Sequence, residues 1–253
     1  MILEGQVAIV TGAGSGIGRG GAEIMAAEGA FVVVTDRSFE SASETALLIN
    51  ENGGTAIARK VDVTVDEDLD EMISSTIAAY GRIDILHNHA GIQIAGNAEQ
   101  VEPDGMDLSY QINTRAHYYA ARKAIPYMKK QGRGVIINTA SNSGVFFDKE
   151  MLAYTTSKAA TIAMTKQMAV DYARFNIRVN ALCPGWVDTL FNGPYIEQMG
   201  GRDAIEKYVA DTIPIGRWAT VEEIAESVLF LASHRSAFMT GHALVVDGGE
   251  CIA

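Results

Sequence analysis

The chain has 253 residues, of which 48% are apolar and 20% are charged, and this composition is ordinary for a globular protein with one well-buried core. No apolar run approaches the roughly twenty residues of a membrane span, Met1–Gln6 lacks the features of a signal peptide, and two cysteines provide no disulfide framework. The formal net charge of −11 argues against a broad nucleic-acid surface. From the length and the cysteine count we expect one domain over residues 1–253 in a reduced cytoplasm.

The first motif is a glycine-rich turn between a predicted strand and a predicted helix. Val7–Val10 is a short apolar run, Thr11–Gly18 follows it, and apolar residues then recur at helical spacing up to Ala26. Glycines in such a turn let a pyrophosphate approach the backbone, and the helix N-terminus offers free N–H groups. A glycine cluster alone is as often a structural turn, but this context favours a dinucleotide site. The candidate cofactor contacts in the turn are Gly12, Gly14, Ser15, Gly16, Ile17 and Gly18.

An acidic residue ends the second predicted strand. Phe31–Thr35 is apolar and Asp36 follows it, about twenty residues past the glycines. A carboxylate there accepts hydrogen bonds from both ribose hydroxyls of adenosine and repels a 2′-phosphate, so NAD is favoured over NADP. Ser15 supports NAD because it is not a basic residue. Arg37 is a basic residue and argues against NAD, but we expect it to be solvated or to lie over the adenine. The alternative for Asp36 is a strand-end or helix-cap acid.

Strands and helices continue to alternate along the chain, which predicts a doubly wound α/β fold with about seven parallel strands and helices on both faces. A stretch at about 186–218 is predicted to be irregular, and we expect a substrate lid there. The other predicted strands are Thr55–Val61, Ile83–His87, Gly134–Thr139, Ile177–Cys183 and Ala243–Val246, and the other predicted helices are Glu40–Asn50, Val65–Tyr80, Leu108–Lys130, Leu152–Phe175 and Val221–Ser233.

A serine and a Tyr-x-x-x-Lys pair lie near one edge of this predicted sheet. Ser141 follows a strand, and Tyr154 and Lys158 are four residues apart at the start of a long helix, so both share one helix face. An ammonium beside a phenol favours the phenolate, which would let Tyr154 act as an acid or a base. Taken alone, the pair is more often an ordinary surface contact. The carboxyl ends of parallel strands form the ligand-binding edge, however, and several candidates follow strand ends.

Together these motifs resemble the short-chain dehydrogenase/reductase family, and the resemblance covers essentially the whole chain. Each motif is modest alone, but their order and spacing are specific to the family. The matching elements are the TGxxxGxG turn at Thr11–Gly18, Asp36, Asp62 with Val63, an Asn-Asn-Ala-Gly-like element at Asn88–Gly91, Asn113, Ser141, Tyr154-x-x-x-Lys158, and Pro184 and Gly185 with Thr189.

The resemblance implies reversible hydride transfer between a carbinol carbon and nicotinamide. Tyr154 would exchange the hydroxyl proton, and Ser141 would hydrogen-bond the same oxygen. Lys158 would lower the tyrosine pKa, aided by the positive ring of the oxidised cofactor, and would bind the nicotinamide ribose. Asn113 would hold a water that links Lys158 to solvent; the alternative is a helix-kinking residue that only satisfies backbone groups.

The resemblance also implies the remaining cofactor contacts. Position 89 departs from the family pattern, because His89 replaces the second Asn of Asn-Asn-Ala-Gly. We expect a structural histidine there, with a catalytic or metal-binding role as the alternative, and we predict no metal site elsewhere. The implied contacts are Asp62 and Val63 at the adenine, Asn88, Ala90 and Gly91 beside the adenosine ribose, Tyr154 and Lys158, and Pro184, Gly185, Val187 and Thr189 near the nicotinamide.

The predicted substrate is a small polar or cyclic secondary alcohol, such as a polyol, sugar or ring alcohol, or the matching ketone. Two rival functions remain open: an NADPH-dependent ketone or 3-oxoacyl reductase, and a non-catalytic NAD-binding sensor or scaffold. The resemblance further implies a D2 homotetramer, with a dimer as the next possibility. The candidate substrate contacts are Gln93, Ser141, Ser143, Phe147, Tyr154, Trp186 and Phe191.

Overall fold

A seven-stranded parallel sheet lies at the centre of the protein. The computed structural model describes residues 1–253, with the side chain at position 194 excepted. The strands are rich in Val and Ile, which favour extended backbone and pack well on a pleated surface. They are β1 (Val7–Thr11), β2 (Phe31–Asp36), β3 (Thr55–Lys60), β4 (Ile85–Asn88), β5 (Gly134–Thr139), β6 (Ile177–Pro184) and β7 (Ala243–Val246).

Helices connect the strands and cover both faces of the sheet. Ser38 caps the second helix, and Thr220 and Glu223 form a capping box at the start of the last one. The helices are α1 (Gly16–Ala27), α2 (Phe39–Glu51), α3 (Asp66–Tyr80), α4 (Pro103–Tyr110), α5 (Ala116–Gln131), α6 (Leu152–Tyr172), α7 (Gly193–Gln198), α8 (Arg202–Thr212) and α9 (Val221–Ala232).

The strand order is β3-β2-β1-β4-β5-β6-β7, which confirms the predicted doubly wound sheet. The order reverses between β1 and β4, where Val10 lies opposite His87. At such a switch point the connections diverge to opposite faces of the sheet and leave a crevice beyond the carboxyl ends of the strands. The turn after β1 and the segment after β4 both open into this crevice.

Two apolar layers hold the helices on the sheet. One layer packs α1 and α9 against one face and contains Met25, Val32 and Val228. The other packs α3, α5 and α6 against the opposite face and contains Leu69 and Met128. Burial on both faces explains why the strand sequences are almost continuously apolar rather than alternating.

The predicted helix Leu108–Lys130 is interrupted by a π-helical turn at Gln111–Arg115. The backbone carbonyl of Asn113 accepts a hydrogen bond from Thr161 Oγ1 at 2.8 Å, on the neighbouring helix α6. The Thr114 hydroxyl donates to the backbone oxygen of Ser157 at 2.8 Å. These contacts tie the wider turn to the neighbouring helix α6.

The predicted irregular stretch at about 186–218 was wrong in part, because it contains α7 and α8. Ile205 and Val209 of α8 are buried, and Trp186 and Trp218 make an edge-on aromatic contact with their ring centroids 5.3 Å apart. This packing allows short helices to form in a segment with weak periodicity. Over the described residues, none of the helices combines the length and the apolarity needed to cross a membrane.

Candidate active site

A cavity of about 780 Å³ lies at the carboxyl edge of the sheet. It runs from the glycine turn after β1 to the loops that follow β5 and β6. Most of the predicted site residues contribute to its wall. Those residues are Gly12, Ser15, Gly16, Ile17, Asp36, Arg37, Asp62, Val63, Ala90, Gly91, Gln93, Ser141, Ser143, Tyr154, Lys158, Pro184, Gly185, Trp186, Val187, Thr189 and Phe191.

The glycine turn is closely packed. Gly12 has φ of +65°, and a Cβ there would lie 2.8 Å from the Cα of Ala90. A Cβ on Gly18 would lie 2.2 Å from the backbone oxygen of Gly12, so Gly18 lets α1 begin close to β1 and makes no direct contribution to the cavity wall. Arg19, which the sequence reasoning missed, donates from Nη2 to the Gly14 backbone oxygen at 2.7 Å. These contacts fix the turn in which the first N–H groups of α1 remain free for an anion.

Asp36 is oriented by the same turn. Its Oδ2 accepts from the Gly14 N–H at 3.1 Å, and its Oδ1 accepts from the Ser38 N–H at 3.0 Å. At the next strand end, Asp62 Oδ1 accepts from the Thr64 hydroxyl at 2.7 Å, and this hydrogen bond is the main reason why the Asp62 pKa lies below its usual range. Both carboxylates line this end of the cavity, where they offer hydrogen-bond acceptors of the kind that ribose hydroxyls require.

Tyr154 and Lys158 are buried together at the centre of the cavity. Tyr154 is 6% exposed, Lys158 is 2% exposed, and the Lys158 Nζ lies 5.6 Å from the centroid of the tyrosine ring. Nζ donates a hydrogen bond of 2.9 Å to the backbone oxygen of Thr139. Thr139 was missed by the sequence reasoning, although its position at the end of β5 was a usable signal.

The expected lowering of the Tyr154 pKa by Lys158 does not occur in the protein alone. Burial raises the Tyr154 pKa to about 12, although a hydrogen bond with Ser141 acts in the opposite direction. Burial lowers the pKa of the Lys158 ammonium to about 8. In a low-dielectric site, burial drives both groups toward their neutral forms.

Asn113 is fully buried and lies beneath the cavity rather than in its wall. Its Oδ1 accepts from the Ile92 N–H at 2.8 Å, and its Nδ2 donates to the Ile92 oxygen and to Ser157 Oγ, each at 2.9 Å. A Cβ on Gly91 would lie 3.0 Å from Asn113 Oδ1 and 3.3 Å from Lys158 Nζ. The amide therefore holds the segment after β4 beside the lysine and satisfies the backbone groups of Ile92.

Asn88 is also turned away from the cavity. Its Nδ2 donates to the His117 backbone oxygen at 3.2 Å and to Asn138 Oδ1 at 2.9 Å. The neighbouring wall is instead held by Thr11, whose Oγ1 accepts from the backbone N–H groups of His89 and Ala90 at 3.0 and 3.1 Å. Thr11 belongs to the quoted glycine motif, but its role in tying β1 to the segment after β4 was not foreseen.

His89 is hydrogen-bonded within the protein. Its Nδ1 lies 3.2 Å from Thr139 Oγ1, which also lies 2.9 Å from Nε2 of the buried His87. Burial, with a smaller contribution from Lys158, lowers the His89 pKa to about 3, so the ring is neutral. In the part of the chain that the structure describes, no group of three His, Cys, Asp or Glu residues could hold a metal ion.

Beside Tyr154 the cavity is walled by Trp186, Phe191 and the loop after Ser141. The rings of Tyr154 and Phe191 are 6.2 Å apart. Phe147, which was a predicted substrate contact, is 72% exposed and does not line the cavity. Asp148 lines it instead, and Glu250 accepts a hydrogen bond from Trp186 Nε1 at 3.0 Å. Neither acid was foreseen, because no motif marks either position.

The chain belongs to the short-chain dehydrogenase/reductase family, whose members are oxidoreductases. A family model described as "Enoyl-(Acyl carrier protein) reductase" matches residues 12–250. Three curated relatives cover nearly the full chain. An uncharacterized oxidoreductase of Thermotoga maritima is 37% identical and covers 99% of each chain. The 3-oxoacyl-(acyl-carrier-protein) reductase FabG of the same organism is 35% identical over 100% of each chain. An NAD-dependent glycerol dehydrogenase of Listeria innocua is 34% identical over 99% of this chain and 95% of its own.

Solved structures agree with the fold over nearly all of the chain. Levodione reductase superposes with a TM-score of 0.96 at 29% identity and covers 99% of both chains. Gluconate 5-dehydrogenase from Burkholderia cenocepacia, in complex with NADP and tartrate, gives 0.93 at 33% identity, covering 99% of this chain and 97% of its own. NAD+-bound xylitol dehydrogenase gives 0.94 at 31% identity, covering 98% of this chain and 100% of its own. Nicotinamide cofactors are therefore common to the family, and both NAD and NADP occur among its members.

Burial of Lys158 has a measurable cost in stability. The folded pKa of about 8 lies below the ordinary lysine pKa of 10.5, so the penalty on the ammonium is fully present below pH 8 and disappears as the pH rises toward 10.5. We predict that Lys158→Met raises the free energy of unfolding at pH 7 by about 2 kcal/mol, after allowance for the hydrogen bond lost at Thr139. Urea denaturation at pH 7 and at pH 10 measures this gain, which should shrink at the higher pH.

The matched control for this prediction is Lys207→Met, because Lys207 is exposed and pairs only with Asp211. Loss of that exposed pair should change stability by less than about 0.5 kcal/mol. An unchanged or lower stability of Lys158→Met at pH 7 would contradict the prediction.

Proposed function

We propose that the protein is an NAD-dependent dehydrogenase of small secondary alcohols. The proposal is carried by one observation: the buried Tyr154, Lys158 and Ser141 lie in the same cavity as the glycine turn and Asp36. That arrangement would place the proton-transfer group at the centre of one pocket, beside the nicotinamide of a dinucleotide bound along the glycine turn. Bound NAD would supply the hydride acceptor and, in its oxidised form, a positive charge near the phenol.

In this proposal Tyr154 takes the carbinol proton during oxidation and returns it during reduction. Ser141 hydrogen-bonds the same substrate oxygen and is itself fixed by the Ser143 N–H, which donates to Ser141 Oγ at 3.2 Å. Lys158 holds the nicotinamide ribose and favours the phenolate, while Thr139 keeps its ammonium in place. Asn113 fixes the segment after β4 beside Lys158, and a water-mediated proton relay through it is part of the proposal.

NAD is proposed over NADP because of Asp36. The carboxylate is held by two backbone N–H groups and lines the adenosine end of the cavity. A 2′-phosphate would bring two or nearly two negative charges against it, whereas free hydroxyls would donate to it. Ser15 offers no positive charge for such a phosphate, and the name of the Listeria glycerol dehydrogenase specifies NAD for that relative.

The proposed substrate is a polyol, sugar or cyclic alcohol. The wall combines the aromatic rings of Trp186 and Phe191 with the polar side chains of Gln93, Asn142 and Ser143. The relatives whose names specify glycerol and xylitol support this class. A 3-oxoacyl reductase remains the second candidate, because FabG is 35% identical to the chain over its full length. The complete set of Ser141, Tyr154 and Lys158 argues against a non-catalytic sensor.

We also propose that α7 and α8 form a lid over this pocket within one domain, and that the protein works as a D2 homotetramer in the cytoplasm. The two long helices α5 and α6 expose Tyr118 and Val170, which are 43% and 78% exposed. Near the C-terminus Phe238 and Ile252 are more exposed still. The family resemblance implies a D2 tetramer, in which each chain makes two kinds of two-fold contact. Exposed apolar side chains in these two places would suit those two contacts.

The acid/base role of Tyr154 is tested with Tyr154→Phe. Loss of the hydroxyl should lower kcat at least 100-fold with NAD and a panel of polyols, sugars, cyclic alcohols and hydroxyacyl compounds, because no other group would exchange the proton. Nicotinamide absorbance measures turnover, and fluorescence titration with NADH checks that the variant still binds cofactor. Equal turnover by the wild type and the variant would refute the role of Tyr154. No turnover by the wild type on the whole panel would favour the sensor.

Cofactor choice is tested with Asp36→Asn. Removal of the charge should lower the ratio of kcat/KM for NAD to that for NADP at least tenfold, because the repulsion of the 2′-phosphate disappears. Steady-state kinetics with both cofactors measure the ratio. Glu51→Gln removes an exposed charge at the far end of α2 and should leave the ratio unchanged. A wild-type preference for NADP would refute the choice of NAD.

Assembly is tested by light scattering at micromolar concentration. The wild type should have the mass of four chains, and Val170→Glu should lower the mass because it places a charge in the proposed α6 contact. Leu47→Glu is the control, since Leu47 is 57% exposed on α2, outside both proposed contacts. A monomeric wild type would contradict the tetramer.

A further inference from the structure

A carboxylate occupies the substrate end of the cavity beside the reacting phenol. Asp148 lies in the loop between β5 and α6 and lines the cavity together with Ser141 and Tyr154. Its Oδ2 accepts a hydrogen bond from Ser143 Oγ at 3.3 Å, which leaves Oδ1 available to another donor. The charge of Asp148 is also among the minor causes that raise the Tyr154 pKa, after burial, so the two groups interact through the cavity.

A second carboxylate lies directly behind this wall. Glu250 is 5% exposed, its Oε2 accepts from Asn142 Nδ2 at 2.7 Å, and its Oε1 accepts from Trp186 Nε1 at 3.0 Å. Asn142 and Trp186 both line the cavity. Because an amide and an indole are neutral donors, they orient the carboxylate without cancelling its charge.

No cation compensates either acid. Among the described side chains, neither Asp148 nor Glu250 has a Lys, Arg or His nitrogen within 4.0 Å. Asp148 and Glu250 instead interact unfavourably with each other, and burial together with that repulsion raises the Glu250 pKa. An anionic substrate would meet like charges here in a partly desolvated space, where repulsion is poorly screened.

The same end of the cavity also has an unpartnered acceptor. Gln93 lines it, and its Oε1 is buried with no hydrogen-bond partner among the described residues. A buried carbonyl oxygen without a partner is costly, and a substrate hydroxyl would satisfy it. Gln93 Oε1 and Asp148 Oδ1 are therefore two acceptors in the cavity wall that could receive O–H donors of a substrate.

We propose that Asp148 is a specificity residue that accepts a hydrogen bond from a second hydroxyl of an uncharged polyol, and that with Glu250 behind it the site rejects substrates that carry a carboxylate. The inference rests on the proposed alcohol dehydrogenase function and narrows its substrate class. In this arrangement the carbinol to be oxidised meets Tyr154 and Ser141, while the rest of the polyol lies against Asp148 and Gln93.

The test compares matched neutral and anionic substrates with NAD: glycerol with glycerate, threitol with threonate, xylitol with xylonate, and glucitol with gluconate. The wild type should oxidise at least one polyol and disfavour the acid of the same carbon skeleton. Asp148→Asn keeps the size and one oxygen but removes the charge. It should raise KM for the polyol, change kcat less than threefold, and raise the acid-to-polyol ratio of kcat/KM at least tenfold, on the order of 1.4 kcal/mol.

Two controls make the result specific. Glu99→Gln removes an exposed charge from the loop before α4 and should leave the ratio within twofold. Asp148→Ser removes the same charge with a smaller side chain and should shift the ratio in the same direction as Asp148→Asn. Fluorescence titration with NADH confirms that each variant is folded at the cofactor end.

The outcomes separate the two levels of proposal. Polyol turnover with an acid-to-polyol ratio that neither Asp148 variant changes would overturn the specificity role and leave the dehydrogenase function intact. A wild type that prefers the acids would also overturn the specificity role of Asp148 and leave the dehydrogenase function intact. No turnover of any polyol, acid or cyclic alcohol by the wild type would overturn the proposed function, and the specificity role with it.

Discussion

Burial of the Lys158 ammonium is the constraint on which the site depends. An isolated charge in a low-dielectric interior is costly, so the surrounding backbone must provide acceptors and must hold them in place. The Thr139 oxygen accepts from Nζ at 2.9 Å, and the absence of a side chain at Gly91 lets the segment after β4 approach the lysine closely. Asn113 then anchors that segment through Ile92. Each of these groups lies on a different element, so the lysine links β5, α6, the segment after β4 and the π turn before α5.

The π turn before α5 belongs to this arrangement of groups around the buried Lys158 ammonium. Within the turn at Gln111–Arg115, the Asn113 carbonyl accepts from Thr161 Oγ1 and the Asn113 amide pairs with the backbone of Ile92. The turn is therefore tied both to α6 and to the segment after β4. The cost of an irregular turn in a long helix is thus offset by satisfied buried groups beside Lys158. An irregularity of this kind fits the general tendency of π turns to occur at functional sites.

Much of this arrangement could be predicted from the sequence, because the strongest signals are local. Continuous Val and Ile runs marked the strands, and the predicted strand Gly134–Thr139 agrees with β5 residue for residue. The glycine turn, Asp36 and Tyr154-x-x-x-Lys158 each combine a residue type with a position at a strand end or on a helix face. The family resemblance then gave those positions their proposed roles.

The parts that could not be predicted depend on contacts between distant residues. Asn88 fits the family motif, but its side chain turns inward because Asn138 and the His117 carbonyl offer buried partners. Phe147 was chosen for its apolar ring, yet the loop directs it to solvent and directs Asp148 into the cavity. Glu250 reaches the site only because the chain after β7 returns beside Trp186. No periodicity or spacing contains information about such approaches.

The distribution of charge in the cavity joins these observations. Asp36 and Asp62 line the cavity near the glycine turn, Asp148 lines it together with Ser141 and Tyr154, and Lys158 is a buried cation in the same wall. At the glycine turn, where a pyrophosphate would bind, free N–H groups and the positive end of α1 provide the attraction. In the proposed function, an acidic chain would bind an anionic dinucleotide through backbone dipoles, while its carboxylates would accept hydrogen bonds from hydroxyl groups. The proposed rejection of small anions follows from this division, because the two ends of the cavity would use different kinds of charge.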